Sequence, residues 1–385
     1  MFDKRLNRRN VLAAVAMAAL SACSIVPKAP APTPAPTPSP PESTLPTDTS
    51  HHLIALLVPM SGANGAVGQS IANAANMALL DTNATNLRVT TYDTAANPGE
   101  AARRAITDGN QLILGPLLAD DISAVAAAAR PARVPLISFS NDQEAASKDV
   151  FIMGNLPGQS VARTVEYARS RGITGFAALI PRGDYGDRAS SALLSAARAG
   201  GAAVIAMEPY DRSTSSINAA AQRIRAKDGY GALLIADGGT LAGRAAAQFR
   251  AGGGKGSVRI LGTELWSGER SVTSTPALNG GWFSTVSDQR FGQFAKSYRN
   301  RFGSQPARIA TLGYDAVLLT LRVARDWKVG RSFPTSELFG SGGFLGLDGP
   351  FRFSRDGVIE RALEVREIQG GTIKVVSPAP ARFGD

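Results

Sequence analysis

The stretch that most constrains this chain is residues 53–80, LIALLVPMSGANGAVGQSIANAANMALL. Residues 53–58 are apolar without polar alternation, the pattern of a strand covered on both faces in a parallel sheet. Pro59 has no N–H for a ladder, so the strand ends there. A loop with Gly62, Gly65 and Gly68 follows, and then Ile71, Ala74, Ala75, Ala78 and Leu79 recur at helical spacing. Strand, glycine loop and helix open an α/β unit. In such sheets ligands sit beyond the carboxyl ends of the strands, near helix N-termini that favour anions. The glycine spacing matches neither the dinucleotide fingerprint nor a Walker loop, and no Lys-Ser or Lys-Thr follows. The stretch therefore reads as a tight strand-to-helix turn, with or without a small ligand.

The pattern recurs. Strands are expected at 87–92, 112–114 and 135–139, with helices opening at Pro98 and Asp121 between them. It restarts with a helix at 161–171, a strand at 175–180 and a helix at 188–199. Strands at 202–207, 232–235 and 259–261 alternate with helices at 217–227 and 241–250. FAALIPRGDYG echoes LIALLVPMSGANG: apolar strand, proline, glycine turn. Two similar α/β lobes with parallel central sheets are expected, and 385 residues suit two domains. Further helical patterns lie at 291–302 and 313–327. Residues 349–378 differ. Phe351 and Phe353 alternate with polar residues, and Asp356-Gly357 and Gly370-Gly371 mark turns, so a C-terminal β-meander is expected.

The N-terminal region reads as targeting and tether. Lys4, Arg5, Arg8 and Arg9 precede a short apolar stretch, so residues 1–22 resemble a signal peptide. Leu20-Ser21-Ala22-Cys23 resembles a bacterial lipobox, which implies lipidation of Cys23. Arg8-Arg9-Asn10-Val11-Leu12 also resembles a twin-arginine export signal, though an ordinary charged leader explains the arginines as well. Ser24 lacks the acid that retains lipoproteins at the inner membrane, which favours the outer membrane. Residues 23–50 form the expected linker, with nine prolines in the 24 positions from 27 to 50. Extended at ~3.1 Å per residue, it would reach roughly 70 Å.

Charge and composition narrow the chemistry. The formal charge is +10, of which the leader supplies three. No basic block with interleaved aromatics suggests nucleic acid. Cys23 is the only cysteine, so no internal disulfide and no cysteine metal site is expected. The two histidines, His51 and His52, are adjacent at the linker edge, where a solvated position is expected, and a Ser-His-Asp triad is set aside. With no paired-carboxylate motif and no phosphate loop, no enzyme activity, metal or organic cofactor is expected.

Read together, IALLVPMSG, YDTAANPGEA, LILGPL, VPLISFS, FAALIPRGDYGDR, GYDAVLLTL and DGPFRFSRDGV resemble the type I periplasmic-binding fold, in its branched-chain amino-acid receptor branch. The resemblance implies two lobes joined by three crossovers around a ligand cleft. The first lobe would be 53–156 plus 286–333, the second 157–285 plus 334–378. By position it places Ser61, Gly62, Ser140, Asp142, Tyr185, Asp237 and Glu264 at the cleft, with an amino acid or small peptide as the ligand. Two positions depart from the receptors. Ala119 stands for a carboxylate-binding serine, and Asp142 for a threonine. An acid there would repel an α-carboxylate; as a structural residue it would cap a loop or helix. Tyr185 could equally serve lobe packing.

A lipobox, a proline tract, VPLISFSND and the C-terminal GPFRFSRDGVIERALEVREIQGG are most similar to lipoprotein penicillin-binding protein activators. That resemblance implies a non-catalytic, lipid-anchored periplasmic protein, at the outer membrane, whose partner is a peptidoglycan synthase. Better-known members carry a helical-repeat domain before this fold, where this chain has its linker. The alternative is a substrate-binding lipoprotein of a branched-chain amino acid or peptide ABC transporter.

Overall fold

The computed structural model describes residues 48, 50–253 and 255–383. The expected leader at 1–22, the lipidation site Cys23 and nearly all of the 23–50 linker lie outside the described residues.

Five strands build the first sheet: β1 (His52–Val58), β2 (Leu87–Asp93), β3 (Leu112–Leu114), β4 (Leu136–Ser138) and β5 (Val150–Ile152). They are parallel, in the order β2-β1-β3-β4-β5. The apolar run of β1 is central and almost fully buried, as unalternating sequence requires. Between the strands lie α1 (Gly65–Asp81), α2 (Pro98–Thr107) and α3 (Ala119–Ala129). Asn97 caps α2, its side chain accepting from Glu100 N at 2.9 Å, with Pro98 in the first turn.

The second sheet repeats the plan. After α4 (Pro157–Ser170) come β6 (Gly175–Pro181), α5 (Asp184–Ala199), β7 (Ala203–Tyr210), α6 (Thr214–Arg225), β8 (Ala232–Ile235), α7 (Gly239–Arg250), β9 (Arg259–Leu261), the short α8 (Arg270–Ser274) and β10 (Trp282–Thr285). The parallel part runs β7-β6-β8-β9-β10, the same strand order as the first sheet. The echo seen in the sequence has a physical counterpart. A Cβ on Gly68 of α1 would stand 1.8 Å from the Pro59 carbonyl oxygen, and one on Gly186 of α5 would stand 1.7 Å from the Pro181 carbonyl oxygen. In both sheets the helix presses on the proline that ends the preceding strand.

The chain then returns to the first body with α9 (Phe291–Phe302) and α10 (Thr311–Val323). Gly313 lets α10 approach α1; a Cβ there would lie 2.4 Å from the Ile71 carbonyl oxygen. The remaining strands are β11 (Phe344–Gly346), β12 (Gly349–Phe353), β13 (Ile359–Arg361), β14 (Glu364–Gln369) and β15 (Thr372–Ser377). They are antiparallel, as alternation and glycine turns foretold, and they serve two sheets. β11, β12 and β13 form a separate sheet, while β14 and β15 extend the second sheet beyond β10.

Two expectations are corrected. Residues 334–378 do not all belong with the second lobe, because Phe333, Leu338, Phe351, Phe353 and Ile359 pack into the core of the first sheet. Apolar alternation marks a buried face without saying which core receives it. His52 is not solvated. It opens β1, is 3% exposed, and stacks on Trp327 with ring centroids 4.0 Å apart. Burial lowers its pKa, against a backbone hydrogen bond involving Trp327.

Three segments cross between the bodies, at 153–156, 286–290 and 362–363. They lie side by side. Arg361 Nη2 donates to the Met153 carbonyl at 2.8 Å, joining the first and third crossings. Arg366 Nη2 donates to the Val286 carbonyl at 3.0 Å, and its Nη1 pairs with Asp288, joining the second and third.

Candidate functional site

A parallel sheet whose order runs second, first, third, fourth, fifth reverses direction beside its first strand, and a crevice opens at the carboxyl ends there. The first body supplies this crevice with Asn64 and Val67 after β1, Leu117, Leu118 and Ala119 after β3, and Phe139, Ser140 and Asn141 after β4. The second body faces it with Glu264, Leu265, Ser267 and Glu269 after β9 and with Thr285 at the end of β10. Arg308, Ile309 and Leu312 close the side next to α10, and Asn155 comes from the first crossing. The cavity they enclose measures about 500 Å³, the size of a small-molecule site.

Its polar wall is unusual in one respect. Asn155 Oδ1, Glu264 Oε2, Ser267 Oγ and Arg308 Nε are all shielded from solvent and have no hydrogen-bond partner. Most buried polar groups are paired, because an unpaired one costs about 1–3 kcal/mol. The residues of these four border the cavity, but the atoms themselves have no accessible surface, so they lie behind its wall rather than on it.

Glu264 sits at the centre of this wall. The Tyr185 hydroxyl lies 2.9 Å from its Oε1 and 2.8 Å from Thr263 Oγ1. With one proton to give, Tyr185 donates to the carboxylate and accepts from Thr263. Burial pushes the Glu264 carboxyl up to about 7, and the Tyr185 hydrogen bond opposes that shift. Burial, then the Glu264 charge, raises the Tyr185 hydroxyl well above its ordinary value.

Arg308 belongs to a network at the crossings. Its Nη1 donates to Asp348 Oδ1 at 2.8 Å and its Nη2 to Asp288 Oδ1 at 3.0 Å. Burial disfavours its charge, but Asp348 and Asp288 outweigh burial and raise its pKa. Beneath lies Asp315, wholly buried, whose Oδ1 accepts from Leu347 N at 2.6 Å while Oδ2 has no partner. Burial, then Asp348, raises its pKa. Arg361 is also buried, with Nε and Nη1 unpartnered.

Of the seven residues expected at the cleft, Ser140 and Glu264 line the cavity. Asp142 does not. It caps a short 3-10 turn, accepting from Glu144 N at 3.1 Å, and pairs with Arg188 of α5 at 3.0 Å. This ion pair spans the two bodies, and Asp142 faces a separate hollow of about 610 Å³ that also holds Asp184, Asp187 and Arg188. Ser61 hydrogen-bonds Asp93 at 3.4 Å on an exposed turn, where Gly62 takes φ +68°. Tyr185 stands behind Glu264. Asp237 is turned toward Tyr210 at 2.9 Å and Arg212 at 3.1 Å. Asn155, Ser267 and Arg308 were missed. Ser267 lies three residues beyond Glu264 and could have been found on that ground. Asn155 and Arg308 sit on connections that carry no periodic signal.

Among the described residues no helix is long and apolar enough to cross a membrane, and no group of three metal-binding side chains occurs.

Comparison with known proteins agrees with this architecture. A family model described as periplasmic binding protein matches residues 53–372. An uncharacterized protein of Rickettsia prowazekii (strain Madrid E) is 28% identical over 142 residues, which is 36% of this chain and 38% of that protein's length. Among solved structures, a putative branched-chain amino acid ABC transporter protein from Rhodospirillum rubrum matches with TM-score 0.73 at 21% identity, over 85% of this chain and 100% of its own. The leucine binding protein LivK of Thermotoga maritima matches with TM-score 0.64 at 19% identity, over 85% and 98%. The C-domain of LpoA from Haemophilus influenzae, a regulator of PBP1A, matches with TM-score 0.65 at 20% identity, over 84% and 99%. At these identities the likeness is one of fold. The family model covers most of the chain, and the chain belongs to the periplasmic binding protein family, with the type I, leucine-binding-like fold.

Proposed function

We propose that this family member is a non-catalytic lipoprotein that regulates a penicillin-binding protein, and that its cleft receives a small polar ligand. The observation that carries the binding half is a cavity of about 500 Å³ between the bodies, lined by apolar side chains with a few polar residues, Ser140, Asn155, Glu264 and Arg308 among them. A concave, mostly apolar site of this size with a few placed polar groups is the usual form of a small-molecule site. A ligand that fits the closed bodies better than the open ones shifts their balance, and a partner gripping both bodies would read that shift.

Sequence supports the regulatory half. The C-terminal stretch from Gly349 and the VPLISFSND segment resemble the activator group, and the lipobox with its proline tract suits a domain held away from its membrane. The receptor's carboxylate site is altered as well. Ala119 lines the cavity without a hydroxyl, and Asp142 is engaged with Arg188. The test is a pull-down of the tagged protein from solubilised membranes, followed by glycan polymerisation with each synthase recovered. Recovery of a synthase whose rate rises on addition of the protein is expected.

A transport receptor is the second reading, favoured by the retention of a formed cavity between the bodies. It predicts recovery of an ABC permease and no synthase, and that outcome would overturn the first reading.

A further inference from the structure

We propose that the far end of the second body is a docking surface for a bilayer of anionic phospholipid, held by Arg171, Arg225, Lys227, Arg250, Lys255 and Arg259. The cleft lies at the carboxyl ends of the strands. The amino ends of β9 and β10 and the carboxyl ends of α4, α6 and α7 therefore meet at the opposite pole of this body. This surface is separate from the cleft and compatible with either reading of the protein's partner.

The six cations form one continuous patch. Arg171 follows α4 and lies over the Tyr167 ring, 4.9 Å from its centroid. Tyr167 meets Trp282 edge-on with centroids 4.9 Å apart, and Arg259 covers the Trp282 ring at 4.3 Å. Arg250 stands close enough to Arg259 that this second charge, after burial, lowers its pKa. Arg250 Nη1 donates to the Lys255 carbonyl at 2.6 Å and Nη2 to the Val258 carbonyl at 2.9 Å, which shapes the glycine-rich turn between α7 and β9. From that turn Lys255 reaches the Lys227 carbonyl at 2.7 Å and Asp228 at 2.6 Å. Arg225 lies against Gly252, where an added Cβ would stand 1.2 Å from its Nη1.

Acids do not balance this patch. Asp228 takes Lys255, and Glu367 accepts from Trp282 Nε1 at 3.0 Å. Among the described residues Arg171, Arg225, Arg250 and Arg259 form no ion pair. A cation at a helix carboxyl end complements the dipole, which accounts for Arg171, Arg225 and Arg250. Lys227, Lys255 and Arg259 lie outside the helices, so the dipoles do not account for them. Clustered charge of one sign marks a surface that attracts its opposite.

The kind of anion follows from what the patch lacks. No large apolar side chain is exposed in its segments, so a protein partner would find no apolar centre. Tyr167, Tyr230 and Trp282 are buried beneath their cations, so no ring is offered to stack a base. What remains is charge spread over the ends of three helices and a strand, a contact suited to a layer of headgroup phosphates. Guanidinium groups can pair with two phosphate oxygens at once. Gly253 and Gly256 leave the turn without side chains to hold such a layer off.

The test is surface plasmon resonance on the full chain, captured through a C-terminal tag. The vesicles are phosphatidylcholine alone, or phosphatidylcholine and phosphatidylglycerol at three to one. An apolar leader or lipid anchor would enter both compositions, so the ratio between them and its response to variants report the patch. Each cation near an anionic surface multiplies affinity roughly fivefold, so the anionic vesicles are expected to bind at least about tenfold more tightly than the neutral ones. Raising the salt from about 0.1 M to about 1 M shortens the screening length from about 10 Å to about 3 Å and should abolish the difference. Arg171→Glu with Arg225→Glu should lower anionic binding at least about tenfold. Lys296→Glu with Arg299→Glu, an equal change of charge on exposed residues of α9, should leave it nearly unchanged. If charge reversal unfolds the chain, Arg171→Gln with Arg225→Gln replaces it, with a several-fold loss expected. Equal binding to the two compositions, or equal weakening by the two charge-matched pairs, overturns the proposal. Polyaspartate held by the parent and lost by the Arg171 and Arg225 variant, with both vesicles held alike, gives the surface to an acidic protein and also overturns it.

Discussion

Gly68→Ala puts the contact between α1 and the end of β1 to the test. Gly68 lies in a helix, where alanine is ordinarily better than glycine by roughly 1 kcal/mol. The surroundings reverse the sign. The added Cβ would stand 1.8 Å from the Pro59 carbonyl oxygen and 2.8 Å from the carbonyl carbon, where ordinary contact begins near 3.4 Å. The obstacle is backbone, which cannot rotate away as a side-chain end can. Either α1 or the end of β1 must move by well over 1 Å. Overpacking of this kind costs about 1–3 kcal/mol and sometimes more. After subtraction of the helix gain, a net loss of about 2 kcal/mol is expected. Urea unfolding followed by circular dichroism reads this as a lower midpoint at unchanged slope. Gly186→Ala should behave alike, since its Cβ meets the Pro181 carbonyl oxygen at 1.7 Å. Gly292 of α9 is the control. It is exposed with nothing within 4 Å of a Cβ, so Gly292→Ala should be neutral or stabilise by up to ~0.5 kcal/mol. If Gly68→Ala is as stable as the parent while Gly292→Ala behaves as stated, the reasoning from close approach fails.

Three other outcomes follow from the site and its tether. The Glu264 carboxyl is raised from its ordinary 4.5 to about 7, so the folded state binds the extra proton between those values; its contribution is full below 4.5 and is lost as the pH rises through about 7. Glu264→Gln should therefore be more stable than the parent at pH 8, by up to ~3 kcal/mol, with the gap closing near pH 5; unfolding midpoints at the two pH values check it. Arg188→Ala removes the Asp142 ion pair that spans the bodies, and should cost only about 1 kcal/mol in unfolding while enlarging the radius of gyration in small-angle scattering. Cys23→Ala should move the protein from the membrane pellet to the soluble fraction, and equal membrane retention would remove the lipoprotein reading.

Much of the fold was legible because its strongest signals are local. An apolar strand ended by proline and followed by a glycine turn fixed β1 and β6, and the doubled pattern foretold two sheets of one plan. The strands at Leu112–Leu114, Ala232–Ile235 and Arg259–Leu261 and the helix at Phe291–Phe302 fall where the sequence reading put them. The elements that escaped are short. β5, β10 and β11 have three or four residues, too few to show a period; the equally short β3, β8 and β9 were found from their alternation with helical patterns. The site was legible in part. Glu264 and Ser140 sit at strand ends, where topology puts ligands, and both face the cavity. Asp142 and Asp237 also sit at strand ends, but each has a cation from α5 or from the end of β7 to hold it. Which carboxylate is left without a cation depends on residues brought from elsewhere in the chain, and a linear sequence does not contain that information in readable form.

The three crossings have a consequence for synthesis. Neither body is a continuous stretch of chain. As the chain leaves the ribosome, the first sheet is complete at Ile152, yet its core waits for α10 and for Phe351 and Phe353. The second sheet ends provisionally at β10, whose outer edge offers unpaired backbone groups beside Trp282 and Phe283 until Glu364–Gln369 arrives to cover it. A nascent chain stopped anywhere before residue 364 thus carries two unfinished bodies and one open, adhesive strand. The last two strands before Pro378, twelve residues in all, act as the closing stitch for everything made before them, and a ribosome stall or a premature stop codon near the 3′ end would be as damaging as one in the middle.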